Sequence, residues 1–165
     1  MDIKTVGVIG AGQMGNGIAH VMALAGYDVT LNDLSQDALT AALAKIEKNM
    51  VRQVSRNLIT EADMQAGLAR ISPALDVAAP GTADLVIESA TENEDIKNKI
   101  IEGIVPHLPE HTIITSNTSS ISITRLAART DRPEKFMGFH FMNPVPLMQL
   151  VELIRGIATD DETYQ

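Results

Sequence analysis

The stretch Thr5-Val6-Gly7-Val8-Ile9-Gly10-Ala11-Gly12-Gln13-Met14-Gly15 decides the fold. Its first five residues are a short continuous apolar run that ends in glycines, the pattern of a strand buried on both faces of a parallel sheet. Gly10, Gly12 and Gly15 then match G-x-G-x-x-G, with Ala11, Gln13 and Met14 between them. In that spacing the first glycine permits a tight turn and the second lets a pyrophosphate approach the backbone. The third lets helix and strand pack closely. A helix follows from Gly15 to Leu24, with Gly26 as its stop, and Asp28 to Asp33 resumes strand character. Strand, turn, helix and strand fit within about thirty residues, the size of one βαβ unit. Asp33 closes the second strand eighteen residues after Gly15. A carboxylate there accepts both ribose hydroxyls of an adenosine and repels a 2′-phosphate, which favours NAD over NADP. The competing reading is a packing turn with Asp33 as a capping residue.

Outward from this unit, strands and helices alternate. Ser35 caps a long helix expected from Gln36 to about Leu58, a run without Gly or Pro. Thr60 and Asp63 form a capping box for a shorter helix to about Leu68. A helical hairpin, about residues 36–69, is thus inserted into the sheet. Strand character returns weakly near Arg70-Ile71-Ser72 and strongly at Ala83 to Glu88. A helix is expected from about Asp95 to Val105, stopped by Pro106. Thr112 to Thr115 reads as a strand and Ile123 to Ala128 as a helix. Two more strands are expected at Phe136 to Phe141 and Met148 to Ile154. The predicted fold class is α/β, a doubly wound Rossmann-type, mostly parallel sheet. The tail from Gly156 to Gln165 shows no closing element.

The chain has 165 residues, 45% hydrophobic and 21% charged, enough for one core and too short for two full domains. It contains no cysteine, which excludes disulfides, a thiol nucleophile and Cys-based metal sites, and a cytoplasmic location is expected. No metal site is predicted. The formal net charge is −8, and the aromatic residues are two Tyr and three Phe. That combination disfavours nucleic acid, because the surface repels phosphate backbones and offers few stacking platforms. No targeting or membrane-spanning segment is visible.

Of the four histidines, His20, His107 and His111 read as helix or loop residues. His140 differs, because it ends a predicted strand, where open α/β sheets place reactive groups beside a cofactor. Histidine can take a proton from a hydroxyl near neutral pH as a hydride leaves the same carbon. Glu152 is a lone acid in the apolar run Leu150 to Ile154, and pairing with His140 would give it a reason to be there. Ser116-Asn117-Thr118-Ser119-Ser120 either lines the same pocket or caps the next helix. Lys45, Lys48, Arg52 and Arg56 recur at steps of three, four and four, on one helical face, with Glu47 as the acid among them. This basic stripe is either a landing place for phosphates or a solvated face.

Together, VGVIGAGQMGNGIAH (6–20), VIESATEN (86–93), SNTSSISIT (116–124) and HFMNPVPLMQLVELI (140–154) resemble the NAD-binding domain of the 3-hydroxyacyl-CoA dehydrogenase family. The resemblance covers essentially the whole chain. It implies NAD-dependent oxidation of an (S)-3-hydroxyacyl-CoA to the 3-oxoacyl-CoA, or the reverse, on short acyl chains in fatty-acid or butanoate metabolism. By the same resemblance His140 is the catalytic histidine, Glu152 its partner acid and Ser119 the serine that hydrogen-bonds the reacting oxygen. Glu92, Lys97 and Asn143 fall on positions lining the NAD site, although Lys97 also reads as a helix surface charge. Asn49 and Arg56, with Arg52 beside them in the stripe, fall on the hairpin that holds coenzyme A. Asn49 stands where some animal members have serine, and its amide can still donate a hydrogen bond.

Family members continue into an all-helical domain that supplies dimer contacts and part of the acyl pocket. Residues 1–165 are therefore expected to be the NAD-binding domain alone, and the homodimer to form through that second domain. Two other readings stay open. One is a dinucleotide-binding fragment without catalysis. The other is an NAD-dependent dehydrogenase of a free hydroxyacid, which leaves the HFMNP run and the basic hairpin without an explanation.

Overall fold

In a computed structural model, which describes residues 2–165, the first βαβ unit forms as the glycine pattern requires. Strand β1 (Thr5–Ile9) enters the turn, α1 (Gln13–Leu24) leaves it, and β2 (Asp28–Asn32) returns parallel to β1 with Val6 opposite Val29 and Ile9 opposite Asn32. The chain then continues through α2 (Gln36–Ser55), α3 (Glu61–Ala69), β3 (Ile71–Ala74), β4 (Leu85–Glu88) and α4 (Glu94–Ile104). It closes with β5 (Ile113–Ser116), α5 (Ile123–Ala127), β6 (Phe136–Phe141), β7 (Val151–Arg155) and α6 (Asp161–Tyr164). The seven strands run in the order β3-β2-β1-β4-β5-β6-β7. All neighbours are parallel except β6 and β7. Strand order reverses between β1 and β4, and in such sheets ligands bind beyond the carboxyl ends of the strands at that point.

Alternating side chains of the strands build a core on each face. Val6, Val8, Leu31 and Ile87 pack with Ile18, Leu39, Ile46 and Met50 from α1 and α2. Ile9, Val86, Ile114 and Phe136 pack with Ile101, Ile104 and Leu126 from α4 and α5. Each aliphatic chain fully removed from water contributes about 1.5–3 kcal/mol, so the two layers hold the sheet rigid beneath its carboxyl edge. Among the described residues no helix is long and apolar enough to cross a membrane.

The predicted caps form. Ser35 Oγ accepts from Ala38 N–H at 3.2 Å, and Thr60 and Asp63 exchange bonds as a capping box. Three boundaries that differ from expectation have a visible cause. Helix α2 stops at Ser55 rather than near Leu58, because Asn57 adopts φ 56° and the Leu58 N–H turns back to Gln53 O at 2.9 Å. Asparagine ends helices this way without glycine or proline. Strand β4 starts at Leu85 because Asp84 instead accepts the Lys4 and Thr5 N–H groups, at 2.8 and 2.9 Å. The Lys4 amide leads the bonds that hold the Asp84 carboxyl down at about 2, against the opposing effect of desolvation. Strand β7 starts at Val151 rather than Met148, since the chain before it turns with Leu147 and Met148 N–H groups on Pro144 O.

The tail does have a closing element. Asp160 caps α6 by accepting from Thr163 N–H at 2.7 Å, and Thr159 Oγ1 donates to Phe136 O at 2.6 Å. Its charged composition reads as solvated tail, but the aspartate is a cap.

Candidate active site

The glycine turn is shaped by steric need. Gly10 has φ 99°, and a Cβ there would lie 2.7 Å from Ser89 O; one on Gly15 would lie 1.7 Å from Gly10 O. A Cβ on Gly12 would meet nothing within 4 Å, so this residue opens outward. No side chain caps the N-terminus of α1, which leaves its first N–H groups for an anion. Asp33 lies one residue beyond β2, and its Oδ2 accepts from Ala11 N–H at 2.8 Å while Oδ1 accepts from Ser35 N–H at 3.0 Å. The carboxylate thus does brace a turn, and it does so beside the open face of the glycine loop. Glycines, free helix terminus and acid together fit the adenosine diphosphate half of NAD.

Across the edge, β6 and β7 place His140 opposite Glu152 in register. His140 Nδ1 lies 2.8 Å from Glu152 Oε2. With Nδ1–H donating to the carboxylate, Nε2 carries the lone pair and is the atom available to take a proton. The His140 side chain is 19% exposed and that of Glu152 is 50% exposed, so the pair sits at the rim, in contact with solvent.

A cleft of about 330 Å³ brings together Met14 of the glycine turn with Glu92, Lys97, Ser119, His140 and Asn143. These six residues come from both sides of the point where strand order reverses. Ser119 lies in the turn after β5, and its backbone N–H donates to Glu92 Oε1 at 3.1 Å. The same oxygen accepts from the Thr118 and Ser120 hydroxyls and the Ser120 N–H. Desolvation acts to raise the Glu92 carboxyl, but the Thr118 and Ser120 hydroxyls, Lys97 and the Ser119 amide outweigh it and hold the group below the usual carboxylate range.

Lys97 is not a surface charge. Its side chain is 1% exposed, and Nζ donates to both oxygens of Glu88, at 2.9 and 2.8 Å, with Glu88 itself fully buried. Ser116 Oγ donates to Glu88 Oε2 at 2.6 Å, and Ala90 N–H to Oε1 at 2.8 Å. A buried pair survives only when its remaining groups find partners, and here each Glu88 oxygen takes a second donor besides the lysine. Glu88 was the residue missed in the sequence, and its signal was an acid ending the apolar run Leu85-Val86-Ile87. Asn117 was missed as a specific contact as well. Its N–H donates to Glu88 O and its Oδ1 accepts from Phe141 N–H, both at 2.8 Å, which ties the Ser119 turn to β6 beside His140.

A second cavity, of about 270 Å³, lies between α2 and the segment 144–147, and Lys45, Asn49, Arg52 and Arg56 line it. Lys48, the fourth member of the basic stripe, is not part of that lining. Lys45 Nζ donates to Gln13 Oε1, which links this cavity to the glycine turn. Of the other histidines, His20 is fully buried on α1 with Nε2 2.9 Å from Gln53 Oε1, and His111 meets Asp84 at 3.3 Å.

The family model described as the NAD binding domain of 3-hydroxyacyl-CoA dehydrogenase matches residues 5–165. The chain is 60% identical over 163 residues to a 3-hydroxybutyryl-CoA dehydrogenase of Bradyrhizobium diazoefficiens, a match spanning 99% of this chain and 56% of that protein. It is 42% identical over 165 residues to 3-hydroxyadipyl-CoA dehydrogenase of Escherichia coli, covering 100% of this chain and 35% of that one. A crystal structure of (S)-3-hydroxybutyryl-CoA dehydrogenase from Ralstonia eutropha superposes with a TM-score of 0.96 at 48% identity, over 99% of this chain and 58% of the other. The chain thus spans little more than half the length of these 3-hydroxybutyryl-CoA dehydrogenases. Sequence, fold and glycine turn agree, and the chain belongs to the 3-hydroxyacyl-CoA dehydrogenase family as one of its NAD-binding domains.

Proposed function

We propose that the chain carries the reacting groups of an NAD-dependent dehydrogenase that oxidises (S)-3-hydroxybutyryl-CoA to acetoacetyl-CoA, or runs the reverse reaction. The observation that carries this reading is the His140–Glu152 pair at the rim of a cleft shared with Ser119 and the glycine turn. Ser119 Oγ hydrogen-bonds the substrate oxygen and His140 Nε2 takes the hydroxyl proton. Glu152 holds the ring in the tautomer that leaves Nε2 basic and then stabilises the imidazolium. NAD, when bound, would supply the hydride acceptor. Glu92, Lys97 and Asn143 would hold its nicotinamide end, and Asp33 the adenosine ribose.

Lys45, Arg52 and Arg56, with the Asn49 amide, supply donors for the phosphates of coenzyme A. That basic cavity favours a thioester over a free hydroxyacid. The whole protein is a homodimer joined through a further helical domain, and it works in the cytoplasm, where NAD and acyl-CoA thioesters are both held.

The test is the fall in NADH absorbance when acetoacetyl-CoA is added to this chain, beside a His140→Ala control and beside free acetoacetate. Turnover with the thioester that vanishes in the control supports the reading. Turnover with free acetoacetate at an equal rate would move the substrate class. NADH binding with no turnover of either would reduce the chain to a dinucleotide-binding domain.

A further inference from the structure

Glu92 is held more elaborately than a residue that merely borders a cofactor needs to be. Its Oε1 collects the Thr118 hydroxyl, the Ser119 N–H at 3.1 Å, and the Ser120 N–H and hydroxyl at 3.3 and 3.0 Å. Four donors on one oxygen define the course of residues 118–120. Within this set it is the backbone of Ser119 that Glu92 engages, through the N–H and not the hydroxyl.

The other oxygen, Oε2, faces Lys97 Nζ at 3.8 Å. That ammonium cannot wander, because it is already fixed to both oxygens of Glu88. Glu88 in turn holds Ser116 through its carboxylate and Asn117 through its carbonyl. Asn117 is bonded to Phe141, the residue after His140. Ser119 and His140 are therefore referred to one buried ion pair, by Glu92 on one side and by Asn117 on the other. Charge-assisted bonds are about twice as strong as neutral ones, which suits a carboxylate to holding an irregular turn in place.

We infer that Glu92 is a positioning residue for the substrate, fixing Ser119 relative to His140, with Lys97 as its anchored counter-charge. This rests on the reading of Ser119 as the contact to the reacting oxygen. It assigns Oε1 to the serine turn and Oε2 to the Lys97 ammonium. Loss of Glu92 should then weaken acyl-CoA binding more than NAD binding, the reverse of what a pure cofactor contact would do.

The experiment compares Glu92→Ala, Glu92→Gln and Ser119→Ala in this chain. Amide exchange at Ser119 and Ser120 is read by NMR in the free protein, NADH affinity by fluorescence, and acetoacetyl-CoA affinity by calorimetry with NAD present. Glu92→Ala should speed exchange at both amides about tenfold and weaken acetoacetyl-CoA about tenfold, matching Ser119→Ala. NADH affinity should fall by a smaller factor than acetoacetyl-CoA affinity, and Glu92→Gln, which keeps an acceptor oxygen, should restore slow amide exchange and most of the acetoacetyl-CoA affinity. Unchanged exchange in Glu92→Ala, or an NADH loss equal to the thioester loss, would overturn the inference. A Ser119→Ala chain with full acetoacetyl-CoA affinity, beside freed amides in Glu92→Ala, would instead remove the substrate reading of Ser119 and leave the anchoring in place.

Discussion

Two carboxylate pairs of the same length stand at the same edge of the sheet, in opposite surroundings. Glu88 and Lys97 meet at 2.8 Å with both side chains out of water, whereas His140 and Glu152 meet at 2.8 Å with half of the carboxylate exposed. The carboxylate of the first pair is bonded on every side, by Ser116 and the Ala90 amide as well as by the lysine. The second leaves one imidazole nitrogen facing a cleft. Equal distances therefore carry different meanings. Burial with complete bonding makes a fixed reference for the turns around it, and partial exposure with one atom left over makes a group that can exchange a proton.

The contrast is broken most severely at Lys97. Lys97→Met leaves Glu88 as an uncompensated buried charge and should destabilise the fold by about 3–5 kcal/mol in urea denaturation. Adding Glu88→Gln should return most of that loss, since the charge left behind is what costs. At the rim the pattern should invert. His140→Ala should lower turnover by about 10²–10⁴-fold, followed as NADH absorbance, while unfolding free energy changes by less than about 1 kcal/mol. An equal loss of stability there would make the pair architectural after all.

Asp33 lies between the two cases, since its carboxylate both braces Ala11 and Ser35 and faces the open side of the glycine turn. Asp33→Ala should weaken NADH about tenfold and relax the discrimination against NADPH, measured by fluorescence titration of each. An unaltered preference between the two would leave it a brace alone. The smallest effect concerns His20, a buried ring whose only side-chain partner among the described residues is the Gln53 amide. Desolvation keeps its pKa below the ordinary 6.5, against the raising effect of Gln53. The unfolded chain therefore takes up this proton first, and the stability it contributes is full above about 6.5 and lost as the pH falls below it. His20→Gln should show a shallower fall in urea stability between pH 7 and pH 5.

What the sequence revealed follows the reach of each interaction. The first βαβ unit and the capping box at Thr60 and Asp63 were legible because their determinants lie within a few residues of one another and each residue type has a steric or hydrogen-bonding reason. The end of α2 was less so, because asparagine breaks a helix more quietly than glycine. Lys97 reads as solvated in Asp95-Ile96-Lys97-Asn98-Lys99, and only the packing of α4 over β4 turns it inward to Glu88. Likewise Glu92 and the Ser119 turn lie more than twenty-five residues apart, so their bonds exist only once β4 and β5 are neighbours. His140 and Glu152 were suggestive as types, and their contact became readable only from the β6–β7 register.

That register has a consequence for how such a protein can be altered. Because β6 and β7 are antiparallel, the His140–Glu152 pair is set by which residues face each other and not by the length of chain between them. Residues 148–150, exposed and lining neither cavity, can then grow, shrink or change composition, while Asn143 keeps its place in the cleft and Val145 in the core. The same economy does not extend inside the strands, where a slip of one residue would carry Glu152 to the opposite face and leave His140 alone.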